Sequence, residues 1–142
     1  MDKQQKVKVM LFGTFDILHP GHLNLFEQAR GLATDLEIIV SIARDVNVEK
    51  IKGRLPRNNE QQRLNRMQSV ELIDRAILGS LEDYMEHIKI EQPDIIALGY
   101  DQEAYTQTLR NDLDKSGLVS TQIIRLKPFE PDKYKTSLLW PR

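Results

Sequence analysis

Val7-Lys8-Val9-Met10-Leu11-Phe12-Gly13-Thr14-Phe15-Asp16-Ile17-Leu18-His19-Pro20-Gly21-His22 is the stretch on which the fold turns. Its first six residues are short, β-rich and mostly apolar, the composition of a strand covered on both faces. They run into Gly13, which allows a tight turn. Pro20 suits the first position of a helix, where its missing N–H leaves nothing unsatisfied. Leu23, Leu25, Phe26, Ala29, Leu32 and Ala33 then follow helical spacing, with Gly31 near the end as a stop signal. Strand, glycine turn and helix follow one another without a linker.

The same alternation continues to the right. Leu36 to Ile42 reads as a second buried strand, and Ala43 to Asn58, with Gly53 and Pro56, as a long polar mobile loop. Asn58 with Gln61 suggests a capping box ahead of a helix carrying Leu64, Met67 and Val70. Arg75 to Leu78 is a third strand. Ser80 with Asp83 marks another helix, with Leu81, Tyr84, Met85 and Ile88 as its apolar stripe. Asp94 to Leu98 is a fourth strand ending at Gly99. Tyr105, Leu109 and Leu113 belong to a helix that stops at Gly117, and Thr121 to Leu126 is a fifth strand. The order predicts an α/β fold, a Rossmann-like doubly wound five-stranded parallel sheet with helices on both faces. Ligands of such sheets bind beyond the carboxyl ends of the strands. That rule points at Gly13 to Asp16, Ala43 to Asp45, Gly99 to Asp101 and the segment after Leu126.

Composition narrows the class. The 142 residues suit one domain over 1–142, with 20 basic against 21 acidic side chains and a net charge of −1. That balance argues against nucleic-acid binding, which needs a basic face. The absence of cysteine excludes disulfides, thiolate zinc sites and thiol catalysis. No apolar run approaches the roughly 20 residues of a membrane span, and no signal-peptide core opens the chain, so a cytoplasmic protein without membrane contact is expected.

The turn after the first strand carries the chemistry. Its backbone N–H groups can face an anion, and the helix that follows adds a partial positive charge that favours phosphate. His19 and His22 are three apart and share a face of the first helical turn, where two imidazoles can meet charge building on a phosphate. A His-x-x-His zinc site is a weaker reading without cysteines or the Glu and i+4 spacing of zinc-protease helices. No G-x-G-x-x-G follows the first strand, so the ordinary dinucleotide fingerprint is absent. His87, alone on an amphipathic helix, reads as structural.

GTFD followed by HPGH resembles the signature of the cytidylyltransferase-like nucleotidyltransferases, the superfamily with the HIGH motif. Lys50-Ile51-Lys52-Gly53-Arg54, Glu60-Gln61-Gln62-Arg63, Ala76-Ile77-Leu78-Gly79-Ser80 and Pro93 to Gln102 look most like archaeal-type FAD synthases, relatives of glycerol-3-phosphate cytidylyltransferase. The resemblance implies in-line attack of a substrate phosphate on the α-phosphorus of ATP or CTP, with Mg²⁺ or another divalent ion on the triphosphate. The acceptor it implies is FMN, the alternative being CTP with glycerol 3-phosphate or another phosphate ester. A homodimer is the assembly common among such relatives.

By that pattern Gly13, Thr14 and Phe15 hold phosphates, and His19 and His22 stabilise the transition state. Lys50 and Lys52 close over phosphates from the polar loop, Lys50 also meeting the acceptor. Arg63 holds a phosphate from the next helix, and Gly99 and Asp101 contact the nucleotide. Each has a plainer reading: a solvated charge run for the lysines, a helix cap for Asp101, a surface arginine for Arg63. Asp16 either orients the acceptor or stabilises the turn. Relatives end in a Ser/Thr-rich turn opening a last helix, whose nearest equivalent here is Lys135-Thr136-Ser137-Leu138-Leu139, so Thr136 and Ser137 complete the nucleotide set. C-terminal cysteines known in some of them are missing. A non-catalytic nucleotide-binding domain is the rival of a different class.

Overall fold

Strand β1 (Val7–Gly13) pairs with β2 (Leu36–Ile42) on one side and β4 (Ile95–Leu98) on the other. With β3 (Arg75–Leu78) and β5 (Gln122–Arg125) the order is β3-β2-β1-β4-β5, every pair parallel. The structure is a computed structural model and describes residues 6–102 and 106–128.

Alternation along the strands divides the core in two, because successive side chains point to opposite faces. Val9 and Leu11, Ile38 and Val40, Ile95 and Ala97 face one cluster, closed by Phe26 and Ala29 of α1 (Pro20–Arg30) and Met67 of α3 (Glu60–Gln68). Met10, Ile39, Ile96 and Leu98 face the other, closed by Met85 and Ile88 of α4 (Met85–Glu91) and Leu109 and Leu113 of α5 (Thr106–Lys115). The sheet is thus wound on both faces, and the expected fold class holds. The chain leaves β1 for one face and β4 for the other, so the strand order reverses beside β1, and a crevice opens at the carboxyl ends there.

Four local expectations change. The supposed loop 43–58 contains a helix, α2 (Asp45–Lys52). Val48 is buried beneath it, Gly53 ends it in the left-handed conformation at φ 80°, and Arg44 caps it without a side-chain bond. The capping box sits one residue later than expected, with Asn59 and Gln62 bonding each other's backbone N–H. Ser80 and Asp83 form successive turns instead of starting a helix: the Asp83 N–H donates to Ser80 Oγ and the Met85 N–H to Asp83 Oδ1. Leu81 consequently lies exposed. The fourth strand begins at Ile95, because Asp94 accepts the Lys8 N–H on its carboxylate. Tyr105 and the segment after Pro128 lie outside the described residues.

Candidate active site

Gly13 closes β1, and the chain reverses so sharply that Phe15 takes φ 51°. A Cβ on Gly13 would stand 2.7 Å from the Phe15 ring, so only glycine fits there. Phe15 is buried, its ring edge-on to His22 with centroids 5.3 Å apart and tilted on Phe26 at 5.6 Å. The ring anchors the turn to the core while Thr14 and Phe15 present their backbone. Neither N–H bonds a protein group among the described residues.

His19 is the N-cap of α1. Its Nδ1 accepts the Gly21 N–H at 3.1 Å, and its carbonyl accepts the N–H groups of His22 and Leu23. The donors of the first helical turn are therefore already taken by His19. Their polarity passes through the imidazole instead: with Nδ1 accepting, the proton of a neutral His19 sits on Nε2. Gly21 is required for this contact, since a Cβ there would stand 2.8 Å from the His19 ring. His22 stacks on His19 with centroids 3.9 Å apart, and its Nδ1 is buried without a partner. Burial lowers the proton affinity of both rings; for His22, burial and then the neighbouring His19 take the pKa down to about 4. Near neutral pH the pair is two uncharged imidazoles, each with one N–H to give.

A cavity of about 640 Å³ opens over the strand ends. Gly13, Thr14, Phe15, Asp16 and His22 line it from the first turn and helix, Lys52 from α2, and Gly99 and Asp101 from beyond β4. His19, stacked on His22 and partly exposed, does not itself line the cavity. Lys50 also stays out: two residues apart on a helix, Lys50 and Lys52 cannot face the same way, a separation hidden while the segment read as a loop. Thr136 and Ser137 lie outside the described residues.

Two expected ligand groups are occupied by the protein. Arg63 is fully buried and donates to Asn58 O, Thr14 O, Ala43 O and Asp45 Oδ1 at 2.7 to 3.0 Å. It ties the turns after β1 and β2 to α3, the place expected of a phosphate ligand being filled by carbonyls. Asp16 accepts the N–H groups of Arg57 at 2.6 Å and Asn58 at 2.8 Å, the turn-stabilising reading. Burial alone would raise its carboxyl, but those bonds outweigh it and hold the pKa below the usual value.

Other wall residues escaped the sequence reading. Gln102 bridges the two strands at the crevice, donating to Phe12 O at 3.0 Å and accepting the Gly99 N–H at 3.2 Å. Arg125, which does not line the cavity, donates to the Gly99 and Gln102 carbonyls at 2.8 Å and fixes that turn from outside. Asn47, Tyr84 and His87 line the side of the cavity beneath α2 and α4. Helical periodicity marks residues that leave the solvent face but does not tell a core contact from a cavity wall. No helix among the described residues is long and apolar enough to cross a membrane.

The family described as cytidylyltransferase-like matches residues 10–139. A protein of Methanothrix thermoacetophila named FAD synthase is 44% identical over 124 residues, covering 87% of this chain and 83% of its own. An FAD synthase of Methanosarcina barkeri is 46% identical over 112 residues, 78% of this chain and 77% of that one. Among solved structures, the lipopolysaccharide core biosynthesis protein from Thermoplasma volcanium GSS1 superposes with TM-score 0.80 at 34% identity, over 89% of this chain and 100% of that chain.

Proposed function

Because the chain belongs to the cytidylyltransferase-like family, we propose that it is a nucleotidyltransferase joining AMP from ATP to FMN, giving FAD and pyrophosphate. The observation that carries this is the stacked His19–His22 pair at the head of α1, beside β1 where the strand order reverses. The identity to FAD synthases along most of the chain supports the choice of substrates.

An oxygen of the FMN phosphate attacks the α-phosphorus of ATP, the bond to the β-phosphate oxygen breaks opposite it, and pyrophosphate leaves. No covalent enzyme intermediate is needed, so catalysis is positioning and charge stabilisation. Thr14 and Phe15 offer backbone N–H groups to the phosphates. His22 offers an N–H from the cavity wall, and His19, its Nε2–H polarised through Nδ1 by the α1 backbone, stacks beside it and meets the phosphate where it extends past the wall. Because both rings are neutral before substrate arrives, incoming negative charge meets preorganised N–H dipoles and raises their proton affinity as charge develops. Lys52 reaches the phosphates from the last turn of α2.

The cavity wall is mixed in chemistry: Gly99, Asp101 and Gln102 supply polar groups suited to a nucleoside, and Val48, Ile51 and Tyr84 supply apolar surface suited to a flavin ring. The divalent ion, Mg²⁺ in this reading, arrives on ATP and neutralises the triphosphate. Among the described residues no group of three or more His, Cys, Asp or Glu is placed to hold a metal. ATP and FMN are cytoplasmic metabolites, so the reading implies that compartment.

The test is pyrophosphate release and FAD formation by purified protein, with ATP and FMN compared against CTP and glycerol 3-phosphate. FAD from the first pair is the expected result. Turnover of the second pair alone would reassign the substrates, and turnover of neither would overturn both assignments.

A further inference from the structure

On the cavity wall one titratable side chain has no explanation in the fold. His87 lies on α4, one turn after Tyr84, and lines the cavity. Its Nδ1 is buried without a hydrogen-bond partner, and no hydrogen bond or ion pair of its side chain is found among the described residues. Burying a polar nitrogen unpaired is unfavourable, and an aliphatic residue would serve a purely structural position better. With Nδ1 covered, Nε2 is the ring's polar atom left for a ligand.

The surroundings define that ligand. Tyr84 is fixed by the bond of its hydroxyl to Asp112, while burial first and that bond second raise the phenol to about 12. Asn47 of α2, lining the same cavity, spends its Nδ2 on Ser80 O at 3.1 Å, leaving Oδ1. Val48 and Ile51 supply apolar surface. A largely apolar wall with a few polar atoms suits a flat, largely apolar ring system with hydrogen-bonding groups along one edge. The isoalloxazine of FMN has that form, its pyrimidine edge alternating carbonyl and N–H. A small polyol phosphate would leave these apolar side chains uncovered.

We propose that His87 contacts the acceptor and determines its recognition, its imidazole and Asn47 Oδ1 taking the polar edge of the flavin ring between Tyr84 and the apolar side chains of α2. This rests on the FMN reading above.

The experiment compares wild-type protein with His87→Leu and His87→Gln in steady-state FAD synthesis, varying FMN and ATP separately. In His87→Leu the KM for FMN rises roughly tenfold, the size of one or two lost hydrogen bonds, with kcat and the KM for ATP nearly unchanged. His87→Gln, whose amide reaches close to the Nε2 position, recovers most of the loss. The melting temperature of His87→Leu is equal to or above that of wild type, since an unpaired buried nitrogen has gone; a merely structural histidine would give the reverse. An unchanged KM for FMN in the folded Leu variant, or a rise confined to ATP, overturns the assignment while FAD synthesis by wild type stands. Wild-type protein that makes no FAD overturns the flavin reading, and the assignment with it.

Discussion

The imidazole of His22 lies stacked on that of His19, planes 25° apart and centroids at 3.9 Å, while only His19 holds the helix cap. Structure and chemistry are therefore divided unequally between the two, and substitution separates them. His19→Asn keeps an N-cap acceptor and should keep the melting temperature, whereas His19→Ala should lose about 1 kcal/mol of stability. Both should lose transfer activity. His22→Ala should slow the rate by roughly 10²-fold or more with the cap intact, the scale for one preorganised donor. A His19→Asn protein with wild-type kcat would remove that ring from the chemistry.

The depressed His22 also predicts how stability follows pH. Its folded pKa of about 4 lies below the usual 6.5, so the unfolded chain binds the proton more readily. The contribution is fully present above pH 6.5, falls as pH drops toward 4 and then levels. At most about 3 kcal/mol is at stake, from the 1.36 kcal/mol per pKa unit that links titration to folding. Urea unfolding between pH 7 and 4 measures it together with the share of His19, whose proton affinity burial also lowers, and His22→Gln should reduce the slope over that range. The Asp16 carboxyl, held below its usual 3.8, loses its contribution only at lower pH and stays out of the window.

Arg63 is expected to matter for folding before catalysis. Arg63→Met leaves Asp45 and three carbonyls without their cation and should lose roughly 3–5 kcal/mol in urea unfolding. A variant of unchanged stability but raised KM for ATP would restore the phosphate-binding role read from sequence.

The lysines of α2 should differ. Lys52→Ala is expected to lower kcat/KM roughly tenfold or more, as for a lost contact to a charged group, and Lys50→Ala to change it little. Equal losses at both positions would mean that the last turn of α2 unwinds when substrate binds.

Gly13→Ala tests the turn. A methyl group 2.7 Å from the Phe15 ring must displace a buried aromatic that also packs on His22, so about 1–3 kcal/mol of stability should go together with activity. Activity retained at wild-type stability would show that the turn has another accessible conformation.

The strands were legible because Val7–Gly13, Leu36–Ile42 and Ile95–Leu98 are apolar on both faces, a pattern with few other solutions. The turn that bears the histidines was legible for its glycines and proline. Helix α2 was hidden by Val46, Val48 and Ile51, which suit strands, and by a cap with no side-chain bond. Paired Asn58-Asn59 and Gln61-Gln62 made two registers of the capping box equivalent on paper. Tertiary contact chose between them, since Asn58 Nδ2 is engaged by the Asp16 carbonyl at 2.8 Å. Arg63 misled for the same kind of reason: its residue type suits phosphate, and only the third dimension shows three carbonyls already gathered around it.

Those bonds from one guanidinium have a dynamic consequence. Thr14 after β1, Ala43 and Asp45 between β2 and α2, and Asn58 before α3 belong to three separate segments, yet none can swing away without breaking a contact to the same buried cation. The rim of the cavity should therefore open cooperatively as one unit, not turn by turn. The hydrogen-bonded amides of these segments, such as those of Ala43 and Asn58, would share one opening free energy set by release of Arg63, and a protease acting on the native protein would find all of the segments closed or all of them open.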